Sequence, residues 1–301
     1  MKTKRLHYRT VRRINGFLFV LPWIIGFLLF FFIPIVTTIV FSFNNVSPAP
    51  QGGRQLDWVG FKNYYDMFKT VLSSNNQQYI RIFYEEFINI IINTPLIVIF
   101  SLFAGLLLNM NYKGRSVVRV IFFLPIVLGL NVVLNLISVS TSSSYIDSQT
   151  QSQAFLQADL FERLLLNSGL PLSMVGFLSS SVSQIFMIMA RSGVQILIFL
   201  AGLQSINKSL YEVAEIEGAN KYEVFWKIIL PMMSQLILFV TIYTIVDMFL
   251  ISRVTTEIYY YAFLKSRIGL SAAISIVYLL FVSGLIALVW FILSKVVVKF
   301  D

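Results

Sequence analysis

Three apolar stretches of this sequence each carry two polar side chains four residues apart. Because residues i and i+4 share one face of a helix, each pair would project from one side of its stretch. Polar groups inside apolar helices are energetically expensive, so they mark a pathway for a solute or a contact between helices. Their amide, guanidinium, hydroxyl and carboxylate groups can form hydrogen bonds with a polar solute. The pairs are Asn131 with Asn135, Arg191 with Gln195, and Tyr243 with Asp247.

Two interpretations of these pairs are open. The first is contact with a transported solute, with the aromatic rings of Tyr243 and Tyr278 available for stacking. The second is interhelical contact, in which Arg191 and Asp247 neutralise each other within a helix bundle. Both interpretations can hold for the same residues.

The sequence contains few residues that could act in catalysis. The chain has no cysteine and a single histidine, which excludes thiolate nucleophiles and Cys-ligated metals and argues against a His-based centre. No G-x-x-x-x-G-K-[ST] loop is present to bind nucleotide phosphates. The acidic residues Asp147, Asp159 and Glu162 do not form a pair spaced for glycoside hydrolysis. We therefore predict a non-catalytic subunit without a metal or cofactor of its own.

The elements that carry the polar pairs are membrane-spanning helices. Apolar residues make up 57% of the 301-residue chain and charged residues only 12%, and the mean hydropathy is +0.79. About 20 apolar residues cross a bilayer as a helix. We predict one all-α transmembrane domain over 1–301 with six spans, at Phe17–Phe43, Phe87–Asn109, Val118–Val139, Val182–Gln204, Met232–Ile251 and Ser271–Ser294.

Basic residues set the orientation. They concentrate in the N-terminal arm, 1–16, and in the short link after the second span, so both segments should be cytoplasmic by the positive-inside rule. Six spans then place both termini in the cytoplasm. The external segments are 44–86, 140–181 and 252–270. The formal net charge of +9 therefore follows membrane topology and does not indicate nucleic-acid binding.

The cytoplasmic link 205–230 is acidic, against the trend of the other inner segments. Ser209 followed by Glu212 has capping-box spacing, which predicts a helix start at Ser209, and Asn220 with Glu223 predicts a second start. Gly218 between them suits a sharp turn. The product is a helix–turn–helix whose first helix offers an apolar and small-residue surface to a partner. Its members are Tyr211, Val213, Ala214, Ile216, Gly218 and Ala219. From the residues alone, a simple connecting hairpin remains the alternative.

The identities in this link resemble a known motif. Glu212-Val213-Ala214, three residues, Gly218, nine residues and then Ile228-Ile229-Leu230-Pro231 resembles the EAA loop of bacterial ATP-binding-cassette (ABC) import permeases. In that family the loop forms a coupling helix that seats in a cleft of the ATPase. The resemblance implies coupling roles for Glu212, Ala214, Gly218, Ala219, Ile228, Leu230 and Pro231.

Further blocks resemble carbohydrate-uptake permeases, and most of all the first of their two membrane subunits, as in the maltose and glycerol-phosphate systems. They include Leu21-Pro22-Trp23, 58–64, Asn93-Thr94, 105–109, Phe122–Pro125 and 201–206. The resemblance implies an oligosaccharide permease of the bacterial cell membrane. Its partners would be a second permease in a heterodimer, two ATPase domains that hold ATP and Mg²⁺, and an extracellular solute-binding protein.

Two alternatives to a sugar importer remain open. An ABC importer of a peptide or phosphate ester would need a cavity lined mainly with charges, whereas Arg191 and Asp247 are the clearly charged residues inside the spans. An ion-coupled secondary transporter predicts inverted repeats and broken midplane helices, which this sequence does not display.

Overall fold

The computed structural model describes residues 8–49, 52–69, 72–73, 77–110, 114, 117, 120, 165, 171–295 and 297. The predicted third span, 118–139, with Asn131 and Asn135, lies outside the described residues except for Val120. Five helices of the described part are long and apolar enough to cross a membrane. They correspond to the first, second, fourth, fifth and sixth predicted spans, and the count of six remains a prediction.

The first span is one continuous helical path. Helix α1 (Tyr8–Phe27) passes through a π-helical turn (Leu28–Phe32) into α2 (Ile33–Ser42). The wider turn directly precedes Pro34, whose missing N–H would otherwise interrupt the hydrogen-bond ladder. The helical path continues through Pro22 and Pro34 without a break. In the described part of the chain, no residue of its most apolar 18-residue window is buried.

The segment 44–86, which the sequence analysis predicted to be external, contains two strands that were not predicted. Strands β1 (Asn44–Pro48) and β2 (Arg54–Trp58) pair antiparallel. The connection uses two glycines, Gly52 and Gly53, with φ of 90° and 92°. The hairpin is followed by helix α3 (Lys62–Lys69). The fold class is therefore helical with one small added sheet.

The remaining elements are helices. They are α4 (Tyr79–Asn109), α5 (Leu172–Arg191), α6 (Gly193–Ser205), α7 (Lys208–Ile216), α8 (Lys221–Val224) with a π-helical turn (Phe225–Ile229), α9 (Leu230–Leu250), α10 (Arg253–Tyr259) with a second such turn (Tyr260–Leu264), and α11 (Ile268–Ser294). Helix α4 begins eight residues before the predicted span, and α5 begins ten residues before its span.

The chain divides into two compact units. The first comprises the residues up to Tyr84 together with Arg253–Phe281, and the second comprises Glu85–Ser252 and the residues from Val282 onward. We describe each unit by itself.

In the first unit, the end of the first span is capped by α3. The side-chain amide of Asn63 donates to the carbonyl oxygens of Ser42 at 2.9 Å and Asn44 at 3.0 Å. These bonds satisfy acceptors that a helix end leaves open. Gly269 packs against the start of strand β1, where a Cβ on this residue would overlap the Asn44 carbonyl oxygen. The block 58–64, noted for its family resemblance, therefore has a structural role in fixing this corner.

In the second unit, α4, α6 and α9 share an apolar core. Its buried members are Val98, Leu102, Phe199, Leu203, Ile206, Met233 and Val240. Two glycines allow the helices to approach closely. A Cβ on Gly105 would lie 3.2 Å from the Cβ of Phe199, and a Cβ on Gly202 would overlap the Leu236 side chain. Both belong to the family-like blocks, so those blocks encode helix packing.

Candidate functional site

The predicted hairpin is present, and its first helix starts differently from the prediction. Helix α7 begins at Lys208, and the side chain of Asn207 caps it by accepting from the Ser209 N–H at 3.1 Å. The predicted capping box between Ser209 and Glu212 is therefore wrong. Asn207 stands one residue before the helix with extended backbone (φ −63°, ψ 130°), the conformation that an N-cap requires. The exposed Glu212 side chain is thus not needed as a cap.

The turn after α7 is a Schellman motif. The Ala219 N–H donates to the Ala214 carbonyl at 2.9 Å and the Gly218 N–H donates to the Glu215 carbonyl at 3.1 Å. Gly218 has φ 77°, in the left-handed region that favours glycine. The predicted role of Gly218 in reversing the chain is confirmed. A Cβ at this position would meet no atom of the described chain within 4 Å, so its constraint is conformational within this protein.

The second helix of the hairpin begins as predicted. Asn220 accepts from the Glu223 N–H at 2.8 Å, and the Glu223 carboxylate accepts from the Asn220 N–H at 3.1 Å, which completes a capping box. Glu223 also pairs with exposed Lys227 at 3.2 Å. A π-helical turn then leads into α9, with Pro231 in its first turn. Leu230 packs against the apolar core, and Ile228 is half-buried.

Helix α7 has two different faces. Ala214 is only 7% exposed and Tyr211 packs against the apolar core, where burial raises the pKa of its phenol. On the other face, Val213 is 56% and Ile216 83% exposed. The sequence analysis assigned all four residues to one presented surface, which is wrong for Tyr211 and Ala214. They anchor the helix, and Val213 and Ile216 are presented.

Three carboxylates surround the presented residues. Glu212, Glu215 and Glu217 are exposed on α7. An exposed apolar pair flanked by like charges has the chemistry of a docking surface for an apolar cleft with basic edges. We call Val213, Ile216 and these three glutamates the α7 outer face.

The fourth predicted span is two helices. Helix α5 ends at Arg191 and α6 starts at Gly193, with Ser192 between them at φ −81°, ψ −5°. Arg191 and Gln195 therefore lie on different helices. Gln195 is 1% exposed and its side-chain amide donates to the Thr244 hydroxyl of α9 at 3.3 Å. Arg191 is half-buried.

Tyr243 and Asp247 lie half-buried on α9, in the same unit as Arg191 and Gln195. The Asp247 carboxylate interacts electrostatically with the Arg191 guanidinium. A direct ion pair between the two is not formed in the part of the chain that the structure describes. The choice between solute contact and interhelical contact for Arg191 and Asp247 therefore stays open.

Tyr278 belongs to the first unit. Its ring is 1% exposed and meets Phe83 edge-on, with ring centroids 5.7 Å apart. In this conformation the ring is enclosed by its own chain, in contrast to the stacking surface that the sequence suggested.

A buried polar layer in the second unit was missed by the sequence analysis. Thr94 of α4 donates to the Met248 sulfur of α9 at 3.6 Å, and Gln195 of α6 contacts Thr244 of the same helix. Asn93, the residue before Thr94 in α4, is only 6% exposed. Asn89 and Asn93 have the same four-residue spacing that singled out the other polar pairs, so the same rule could have found them.

Within the described residues, the polar layer provides hydrogen-bonding side chains. Among the described residues, no group of three or more His, Cys, Asp or Glu side chains is placed to hold a metal ion. Amide, hydroxyl and carboxylate groups facing apolar helices can bind hydroxyl groups without chemical change to the solute.

Comparison with known proteins connects this architecture to transport. No protein-family profile matches the chain. It is 29% identical over 238 residues to the probable ABC transporter permease protein YesP of Bacillus subtilis, covering 77% of this chain and 69% of that protein. It is 27% identical over 244 residues to the arabinooligosaccharides transport system permease protein AraP of Bacillus subtilis, covering 77% and 68%. It is 28% identical over 254 residues to the trehalose/maltose transport system permease protein MalF of Thermococcus litoralis, covering 81% and 76%.

Solved structures agree at the level of the fold. A bacterial alginate ABC transporter, crystallised with an alginate pentasaccharide-bound periplasmic protein, contains a chain that matches with a TM-score of 0.61 and 18% identity over 95% of this chain and 96% of that one. A second crystal structure of an alginate importer matches with a TM-score of 0.62 and 20% identity, covering 96% and 98%. The resemblance to sugar ABC import permeases drawn from the sequence is thus supported by these relatives, and the helical fold is supported by the solved structures. The count of six spans and the coupling role of the EAA-like loop stay predictions.

Proposed function

We propose, from its similarity to sugar ABC transporter permeases, that this chain is the permease subunit of an ATP-driven importer and forms part of the path for an oligosaccharide. The observation that carries the proposal is the hairpin between α6 and α9. It is anchored to the apolar core through Tyr211 and Ala214 and presents Val213 and Ile216 outward. Two neighbouring exposed apolar side chains on a helix whose other face is anchored in the core suit a contact with a second protein.

The α7 outer face is the coupling surface for an ATPase. Its apolar pair would fill a cleft, its carboxylates would meet basic groups at the edges, and the Schellman turn at Gly218 would hold the helix in a fixed orientation. Glu212 acts in docking, since Asn207 already caps the helix. Ala214, Ile228, Leu230 and Pro231 support this surface from behind.

Energy enters from a separate subunit. This chain has no nucleotide-binding loop, so ATP and Mg²⁺ would be held by two ATPase domains. Closure of the ATPase pair would move the hairpin as a rigid element and shift the permease between inward- and outward-facing states. Both termini and the hairpin lie in the cytoplasm in this proposal, and the β-hairpin lies outside.

The other partners are a second permease and an extracellular binding protein. The first span lacks burial against its own chain over its most apolar stretch in the described residues, which leaves its surface available to lipid and to a second permease. The alginate transporter of similar fold was crystallised with a saccharide-loaded periplasmic protein, which supports delivery of the solute from outside.

The substrate path is formed by the polar residues of the spans. We assign to it Arg191, Gln195, Tyr243 and Asp247 of the second unit, together with Asn131 and Asn135 from the sequence analysis. Tyr278, which the sequence analysis included, is enclosed by its own chain and is left out. Mixed neutral and charged hydrogen-bonding groups suit a polyhydroxylated solute better than a highly charged one.

A cross-linking experiment tests the docking surface. Because the chain has no cysteine, Ile216→Cys and Ala214→Cys introduce single thiols on opposite faces of α7. In membranes that contain the whole complex, the exposed Ile216→Cys should cross-link to an ATPase subunit and the buried Ala214→Cys should not. Normal uptake without any cross-link at position 216 or at Val213→Cys would refute the assignment of this face.

A transport experiment tests the substrate class. Cells that lack this chain should lose uptake of one member of a panel of neutral oligosaccharides headed by arabinotriose and maltotriose, and regain it when the chain is restored. Unchanged uptake of the whole panel in both strains would refute the proposed substrate.

A further inference from the structure

Helix α4 carries a hydrogen-bonded row of polar side chains in its outer half. The Asn89 amide donates to the Glu86 carboxylate at 3.3 Å, and the Asn93 amide donates to the Asn89 side-chain oxygen. The three residues follow i, i+3 and i+7 spacing, so they occupy one face of the helix. Glu86 is 5% exposed and Asn93 is 6% exposed, so the row runs from one buried group to another.

The direction of the donors leaves one acceptor open at the inner end of the row. Each amide N–H₂ group points toward the Glu86 carboxylate, and the Oδ1 atom of Asn93 has no hydrogen-bond partner among the described residues. Buried acceptors are rarely left unpaired, because desolvation without a new hydrogen bond is unfavourable. Asn93 therefore requires a donor that the described chain does not supply.

A second open acceptor lies in the same unit. Gln195 donates to Thr244, and its Oε1 atom also has no partner within the described part of the chain. Thr94, next to Asn93, contacts Met248. Thr244 and Met248 are one turn apart on α9, about 5 to 6 Å along its axis. The two open oxygens therefore belong to side chains of α4 and α6, two helices that each contact α9 in the second unit.

We infer that Asn93 is a substrate contact, whose Oδ1 accepts a hydrogen bond from a hydroxyl group of the sugar, with Gln195 Oε1 as a second acceptor. The inference rests on the proposed function and adds α4 to the path. The two open groups are neutral acceptors, so they select hydroxyl donors and give nothing to a phosphate or carboxylate. The row behind Asn93 fixes its amide so that the oxygen stays available.

The test compares Asn93→Leu with Ser101→Ala in the complete complex. Ser101 is buried in the same helix, and its hydroxyl donates to the Ile97 carbonyl at 2.6 Å, with the Ser192 carbonyl at 3.4 Å as a longer second acceptor. It has no open hydrogen-bonding atom among the described residues, so it is the control for loss of a buried polar group. The probe is the radiolabelled neutral oligosaccharide that the wild-type complex transports. We expect Asn93→Leu to raise KM by roughly 3- to 10-fold and Ser101→Ala to leave it unchanged.

Monodeoxy analogues of the same sugar separate contact from structure. One analogue should bind the wild-type complex more weakly than the parent sugar does. The Asn93→Leu complex should bind that analogue no more weakly than the parent sugar, because the hydroxyl and its acceptor act as a pair. Asn93→Asp, which keeps an acceptor, should retain this dependence on the hydroxyl. If Asn93→Leu accumulates poorly, Asn93→Ala replaces it.

Two results would overturn the inference. Equal sensitivity of wild type and the Asn93 variants to every deoxy analogue would make Asn93 a structural residue, while wild-type uptake would leave the proposed function standing. Failure of the wild-type complex to transport any sugar of the panel would remove the proposed function and the inference with it.

Discussion

Substitution of Gly218 separates the fold of the hairpin from its docking. Gly218 has φ 77° in the Schellman turn, and a Cβ would meet nothing within 4 Å in the described chain. Aspartate and asparagine tolerate left-handed backbone, so Gly218→Asp and Gly218→Asn should cost less than about 1 kcal/mol of folding stability. Valine is strained in this conformation, and Gly218→Val should cost about 1 to 3 kcal/mol.

The Gly218 substitutions should affect binding of the ATPase in a different order from their effect on stability. A side chain at the turn would enter the space of the ATPase cleft, and an added carboxylate would extend an acidic surface that already includes Glu215 and Glu217. We expect Gly218→Asp to leave the chain in the membrane and to reduce retention of the ATPase at least tenfold, a loss of about 1.4 kcal/mol. The asparagine of Gly218→Asn has the same size as aspartate without the charge, so this variant should retain more of the ATPase than Gly218→Asp.

The assay is co-purification of the ATPase with the membrane complex, together with thermal unfolding of the purified complex and sugar uptake. Gly218→Val should lose the most stability, followed by Gly218→Asp and then Gly218→Asn. Gly218→Asp should lose more of the bound ATPase than Gly218→Asn. If Gly218→Asp and Gly218→Asn both keep the ATPase and normal uptake, the turn does not meet the partner and the docking argument fails.

Three further predictions concern the rest of the chain. Gly269→Ala should destabilise the complex by about 1 to 3 kcal/mol in thermal unfolding, because the added Cβ meets a main-chain oxygen. Gly284→Ala in the same helix is the control: its Cβ meets nothing within 4 Å, so it should be neutral or stabilising. Arg191→Ala and Asp247→Ala should each lower assembly, and the double variant should recover part of the loss if the charges are coupled; a double variant as poor as the worse single one would refute the coupling. Single cysteines at either terminus should resist impermeant thiol reagents added from outside while Ser148→Cys reacts, and labelling of a terminus would overturn the topology.

The sequence predicted those features that depend on local chemistry or on long apolar runs. The spans of α4 and α9 follow from hydropathy, because a lipid environment needs long apolar helices. The capping box at Asn220 and the left-handed turn at Gly218 follow from spacing, since each involves residues within one turn of each other.

Features that depend on a choice between neighbours or on distant contacts were not predictable. Asn207 and Ser209 are both good N-caps, and only the path of the chain leaving α6 selects Asn207. The inward face of α7 is defined by a core made of α4, α6 and α9, so burial of Ala214 could not be inferred from α7 alone. The break at Ser192 falls within the polar sequence Arg191-Ser192-Gly193, but one charged residue and one glycine inside an apolar span do not by themselves predict where a helix breaks.

The most direct test of the central claim is to isolate the complex through a tag on this chain and measure what it contains and what drives it. We predict that a second permease and an ATPase subunit accompany the chain, and that uptake of a neutral oligosaccharide into proteoliposomes requires ATP and a soluble binding protein. Isolation of the chain without an ATPase, with sugar uptake driven by an ion gradient alone, would contradict the assignment of an ATP-driven importer.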